Sequence, residues 1–85
     1  MKIFGYCLYG AKQCVAYTDR DCGIDSIKVT DGFHDKILKK DSVKAGKLRW
    51  VKKSDIDLER IVKRIRGARP WHPLLGVLRE EVRKS

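Results

Sequence analysis

The sequence predicts an α+β fold: a small antiparallel sheet of three to five strands, followed by two C-terminal helices. Three observations predict it. The first 53 residues hold short β-rich runs separated by turns that contain Gly or Asp. Leu58, Ile61, Val62 and Ile65 then fall at i, i+3, i+4 and i+7, a single apolar stripe. Beyond Pro70 and Pro73, the residues Leu74, Leu75, Leu78 and Val82 supply a second such face.

Ile3, Phe4, Tyr6, Leu8 and Tyr9 are β-formers, and so are Val15 and Tyr17 in the run Gln13–Thr18. The link Gly10-Ala11-Lys12 joins these runs as a hairpin. Asp19-Arg20-Asp21-Cys22-Gly23 has the composition of a loop. Ile27 and Val29 alternate with Lys28 and Thr30, which predicts a third, half-buried strand over Ser26–Thr30. Asp31-Gly32 marks a turn, and Phe33–Lys40 reads equally as a helical turn or a fourth strand. Lys44–Lys47 is a turn. Lys47–Lys53 then alternates, with Leu48 and Trp50 on one face and Lys47, Arg49, Val51 and Lys53 on the other.

At Ser54 the period changes. Ser54 with Asp57 three residues on resembles a capping box, and Asp55 and Asp57 complement the positive end of a helix dipole. Gly67 is placed to end this first helix, 54–67, and Pro70 prevents its return. Arg69-Pro70-Trp71-His72-Pro73 is a stiff connector, because residues before proline favour extended backbone. Pro73 opens the second helix, 73–84, and Arg83-Lys84 suits its negative end. The order of strands and then a helix loosely resembles small SH3-like nucleic-acid-binding barrels, a likeness of order alone.

Eighty-five residues predict one domain, 1–85, with 1–53 mainly β. Hydrophobic residues at 42% and charged residues at 36% exclude a disordered chain and a membrane-spanning one. The N-terminus reads as a strand rather than a signal peptide, which places the protein in the cytoplasm. Cys7, Cys14 and Cys22 are odd in number, and none is paired at the two-to-four-residue spacing of structural zinc sites. They read as reduced thiols. No metal or cofactor is predicted, although Cys7 and Cys14 could oxidise if they lie on neighbouring strands.

The charge is uneven. The net charge is +9, with −1 over residues 1–35 and +10 over residues 36–85. A domain with positive charge gathered in one half attracts polyanions. The candidate nucleic-acid contacts are Lys47, Arg49, Lys52, Lys53, Arg60, Lys63, Arg64, Arg66 and Arg69. If the Leu48/Trp50 face and the helical stripe share a core, the basic strand and the basic helix merge into one patch. Contacts to phosphate would then dominate, on DNA or RNA, without sequence specificity.

Trp50 alternates in phase with Leu48 and reads as core. Trp71 has two readings: it folds over the core between the helices, or it stands exposed beside Arg69. Exposed, it could stack on a base or anchor in a partner pocket. The rival function is accordingly an adaptor or inhibitor that docks on an acidic protein through Trp71, Leu74 and Leu75. A helix ending in exposed leucine could also form a homodimer. His34 and His72 stand in no hydrolase motif, and Asp19, Asp21, Asp25, Asp31 and Asp35 sit in turn-like contexts. A small ribonuclease-like enzyme is therefore the weakest reading. The chain reads as a binding protein without catalysis, a nucleic-acid-binding accessory or regulator.

Overall fold

The structure is a computed structural model that describes residues 1–84. The strands are β1 (Lys2–Tyr9), β2 (Lys12–Thr18), β3 (Ser26–Thr30), β4 (Asp35–Lys39) and β5 (Arg49–Val51). One helical turn, α1 (Lys40–Ser42), runs into a wider turn over Val43–Lys47, and α2 (Leu58–Ala68) and α3 (Leu74–Arg83) follow β5. The α+β order predicted from the sequence is the order the chain adopts. Phe33–Lys40 resolves mainly into a strand. No helix among the described residues is long and apolar enough to cross a membrane.

β1 to β4 form an antiparallel meander, and β5 pairs antiparallel with β1, giving the order β4-β3-β2-β1-β5. Gly10, at φ 65, makes the tight turn between Tyr9 and Lys12. β4 and β5 therefore lie on opposite edges. Four inter-strand gaps in a flat sheet would separate them by about 19 Å. The largely helical stretch 40–47 between them advances only about 12 Å at helical rise. The sheet must curl to bring its edges together. The side chains agree: Lys36 of β4 donates a hydrogen bond to the Tyr9 hydroxyl of β1 at 2.9 Å, across two intervening strands.

Each sheet face has its own core. Val15 and Tyr17 point to one face, where they meet Leu58, Ile61, Val62 and Ile65 of α2 and Leu74, Leu75 and Leu78 of α3. Cys7, Cys14, Ala16, Ile27, Val29 and Leu38 point to the other, where the returning chain covers them with Val43 and Leu48. Two predicted features change here. Leu48 lies on the face opposite α2, so it is Val51, not the Leu48/Trp50 face, by which β5 packs on the helical core. Trp50 follows Leu48 to that face but stays 43% exposed, because β5 is an edge strand and its side chains lie at the rim.

The helix ends also differ from the sequence reading. The residues Lys53–Asp55 form a separate 3-10 turn, and the N-cap of α2 is Asp57, whose carboxylate accepts from the Arg60 amide at 3.2 Å. Gln13 of β2 fixes this entry, accepting from the Asp57 amide at 2.8 Å. Gly67 stays inside α2, which stops at Ala68 because Arg69 takes the extended backbone that Pro70 imposes (φ −148, ψ 75).

The turn between β3 and β4 is pressed against α2. Asp31 accepts from the amides of Phe33 and His34, both at 2.8 Å. Gly32 sits at φ 104, where an added Cβ would lie 2.6 Å from Arg64 Cβ and 3.1 Å from the Ile61 carbonyl oxygen. Below the turn, Asp35 receives two hydrogen bonds from Arg69, at 2.7 and 3.0 Å, and faces His72 Nε2 at 3.3 Å. His72 Nδ1 accepts from the Leu74 amide at 3.1 Å and so caps the start of α3. Asp35 thereby ties the outer strand β4 to the connector between the two helices.

Two substitutions test this clamp. Gly32→Ala should destabilise the fold by at least about 1–3 kcal/mol from backbone strain alone, read from chemical denaturation. Burial pushes the Asp35 carboxyl up, but the hydrogen bonds from Arg69, Thr30 and His72 outweigh it and hold the group at about 2, below its ordinary 3.8. A depressed carboxyl stabilises the fold above its unfolded pKa, and this contribution fades as pH falls from about 4 toward 2. Asp35→Asn should cost about 1–3 kcal/mol at neutral pH. The difference from wild type should shrink across that acid window. An equal gap at pH 7 and pH 2.5 would show that the charge contributes nothing.

Candidate nucleic-acid interface

The curled sheet and its two covered faces divide the nine predicted basic contacts into three groups. The first is internal. Arg69 is committed to Asp35. Arg64 donates to the Asp31 carbonyl oxygen at 3.2 Å, and its guanidinium lies 4.9 Å from the centroid of the Phe33 ring. Lys53 donates to the Glu81 backbone carbonyl and lies 3.4 Å from the Glu81 carboxylate, which ties the start of α2 to the end of α3. These three cations are half-buried parts of the fold.

The second group is Arg60, Lys63 and Arg66. They point outward from α2 because its other face is filled by the apolar stripe. None has an ion-pair partner within 4.0 Å among the described residues. Two shallow grooves meet at Lys63. One, of about 500 Å³, runs between Phe33 and the α2 residues Arg60, Lys63 and Arg64. The other, of about 360 Å³, lies between α2 and α3. Its floor is Val62 and Val82, and its walls are Lys63, Arg66, Arg79 and Arg83, with Glu59 as the one acid.

Arg79 and Arg83 belong to this face and were not among the nine. Their i, i+4 spacing on the polar side of α3 was the available signal. What the sequence lacks is the docking angle that sets α3 beside Lys63 and Arg66. Arg83 is partly engaged, 3.2 Å from Glu80.

The third group is Lys47, Arg49 and Lys52, which flank or lie in β5. All three are exposed; Lys52 lines a groove with Leu58 and Glu59 of α2 and Val82 of α3. The packing that was to merge the basic strand with the basic helix is different. The premise was that the Leu48/Trp50 face shares a core with the helical stripe, and Leu48 packs in the core on the opposite face.

The partner-docking residues also separate. Leu74 and Leu75 are core residues of α3 at 0% and 5% exposure, unable to meet a partner without unfolding. Trp71 does not cover the core; it is 75% exposed between its two prolines. The histidines differ as sharply. His72 is buried with both ring nitrogens engaged, leaving no free acceptor for proton transfer. His34 is exposed, 3.7 Å from Asp31.

Three acids of the first half do local work. Asp19 accepts from the amides of Asp21 and Cys22 and pairs with Lys28 at 2.7 Å. Asp31 and Asp35 serve the β3–β4 turn and the clamp. Cys7 and Cys14 face each other across β1 and β2, both buried. Burial pushes the Cys7 thiol up to about 12, which makes it unreactive at neutral pH. Among the described residues, no group of three or more His, Cys, Asp or Glu is placed to hold a metal.

The site is thus a cationic helical face over a small α+β scaffold. No family model, no curated protein and no solved structure matches this chain.

The division between internal and outward cations makes a direct prediction. Arg64→Ala should remove a hydrogen bond and the Phe33 contact, lowering Tm by about 4–8 °C for each kcal/mol lost. Arg66→Ala should leave Tm within about 2 °C of wild type, as surface changes usually do. Thermal melts of the two variants side by side decide it.

Proposed function

We propose that this protein is a small nucleic-acid-binding accessory or regulatory protein that contacts phosphate through the outer faces of α2 and α3. One observation carries the reading. Arg60, Lys63, Arg66 and Arg79 are exposed around two adjoining grooves, with no carboxylate partner in ion-pair range among the described residues. Surface cations that serve stability alone are usually interspersed with acids, and each pair is worth little. Here Glu59 lines the groove and Glu80 pairs with Arg83, but neither engages these four cations. Several outward arginines and lysines on two helices suit a polymer of regularly spaced phosphates, whose counterions they release on binding. Arginine adds bidentate geometry toward phosphate.

A second reading has its own observation. Trp71 stands exposed on a connector held rigid by Pro70, Pro73 and the Asp35 clamp. A rigid aromatic of this kind suits an anchor in a pocket of an acidic protein. Trp71→Ala separates the two: binding that depends on α2 and α3 should change little, and docking on a protein should be lost.

The test is fluorescence anisotropy with labelled duplex DNA, single-stranded DNA and RNA, from low salt to about 0.15 M. The double variant Lys63→Glu/Arg66→Glu should weaken binding and lower the slope of log K against log salt by about 1.5–2. Arg20→Glu/Lys44→Glu makes the same change in net charge at exposed sites elsewhere. If both double variants lose affinity equally, the α2–α3 assignment is wrong and only total charge matters.

A further inference from the structure

A second surface lies on the other side of the sheet. Phe4 and Trp50 are 54% and 43% exposed, with ring centroids 5.5 Å apart and planes tilted by 45°. Each is held in place. The register of β1 against β2 slips between Ile3 and Gly5, and Phe4 is the extra residue, the kind of bulge that re-aims a side chain. The Trp50 indole rests on Gly5, where even a Cβ would lie 3.0 Å from the ring. Trp50 is fixed at the backbone by pairing with Cys7. The rings are therefore preorganised, although neither is needed to fill a core.

The surroundings are cationic. Lys40 Nζ lies 6.0 Å above the Phe4 ring. Lys47 ends the stretch 43–47 that crosses this face and is exposed, whereas Arg49, paired with Leu8, points with Val51 to the α2–α3 side. Because β5 is the edge strand, this rim is open to solvent along its outer side. Exposed aromatic rings beside lysine are an arrangement that stacks unpaired bases while neutralising the adjoining phosphates. A duplex offers no free base face to such a pair of rings.

We infer that Phe4 and Trp50 form a base-stacking platform for single-stranded nucleic acid, with Lys40 and Lys47 on the same side of the sheet. The inference rests on the nucleic-acid reading above and gives it a ligand class. The α2–α3 face supplies phosphate attraction on one side of the sheet, and the platform selects unpaired bases on the other.

The experiment uses the full chain in a Trp71→Phe background, so that Trp50 is the only tryptophan. Titration with a twelve-residue oligothymidylate should quench Trp50 emission, and a blunt duplex of the same length should not. Phe4→Leu and Trp50→Leu should each weaken oligothymidylate binding by about 5- to 100-fold in anisotropy. Their duplex binding should stay within about twofold of wild type. Both positions are solvent-exposed, and a thermal melt of each variant confirms folding; Lys40→Glu is the independent variant and should weaken the single strand alone. Lys63→Glu/Arg66→Glu should weaken duplex and single strand together. Oligothymidylate that binds without quenching Trp50, and binds both Leu variants normally, overturns the platform and leaves the α2–α3 reading standing. Failure of every nucleic acid to bind overturns both, and directs attention to a protein ligand for the aromatic pair.

Discussion

The structure depends on the pairing of β5 with β1. Once the meander β1 to β4 has formed, its first strand has a free edge, and the chain that leaves β4 is at the wrong end of the sheet to use it. To reach it, residues 40–48 must cross the sheet over one face. That passage covers one core with Val43 and Leu48, curls the sheet until Lys36 meets Tyr9, and leaves the chain at the opposite edge. From there α2 and α3 cover the other face. With both faces covered, most apolar strand positions have a partner layer, Phe4, Ile37 and Trp50 excepted, and an 85-residue chain obtains two small cores.

The same path determines the electrostatics. A cation near a sequence neighbour is not necessarily near it in space. Lys47 belongs to the stretch that covers one face, and Arg60 to Arg66 ride on a helix over the opposite face. Several cations are also consumed internally. Arg64 and Arg69 hold the β3–β4 turn and β4, and Lys53 holds the end of α3. An arginine that closes a turn and one that awaits a phosphate look the same in sequence. Their difference lies in whether a carbonyl or carboxylate lies within reach, and that is settled by residues more than 25 positions away.

The aromatic residues show why pattern reading succeeds in some places and fails in others. Period-two alternation correctly put Leu48 and Trp50 on one side of a strand. It could not tell that the strand is at an edge, where one residue is buried and its neighbour two along is half open. Trp71 was legible as part of a rigid connector, because proline restricts the backbone on its own. Whether its ring turns inward depends on the space between α2 and α3, and His72 occupies the inward position instead, held by Asp35 and the Leu74 amide. Phe4 gave no signal as a surface residue, since a bulge in β1 is a property of its register against β2.

By itself the sequence determined what local physics controls: the alternating strands, the Gly10 hairpin, the apolar stripes of α2 and α3, the proline-stiffened connector and the concentration of positive charge in the second half. These follow from side-chain periodicity, backbone restriction and simple counting, none of which needs a partner. The tertiary structure alone decided which strand joins which edge, which face each basic residue occupies, which cations are bound inside the fold and which aromatics meet solvent. Those outcomes follow from contacts between residues far apart in the chain, where packing and hydrogen bonding choose among arrangements that local propensity leaves equal.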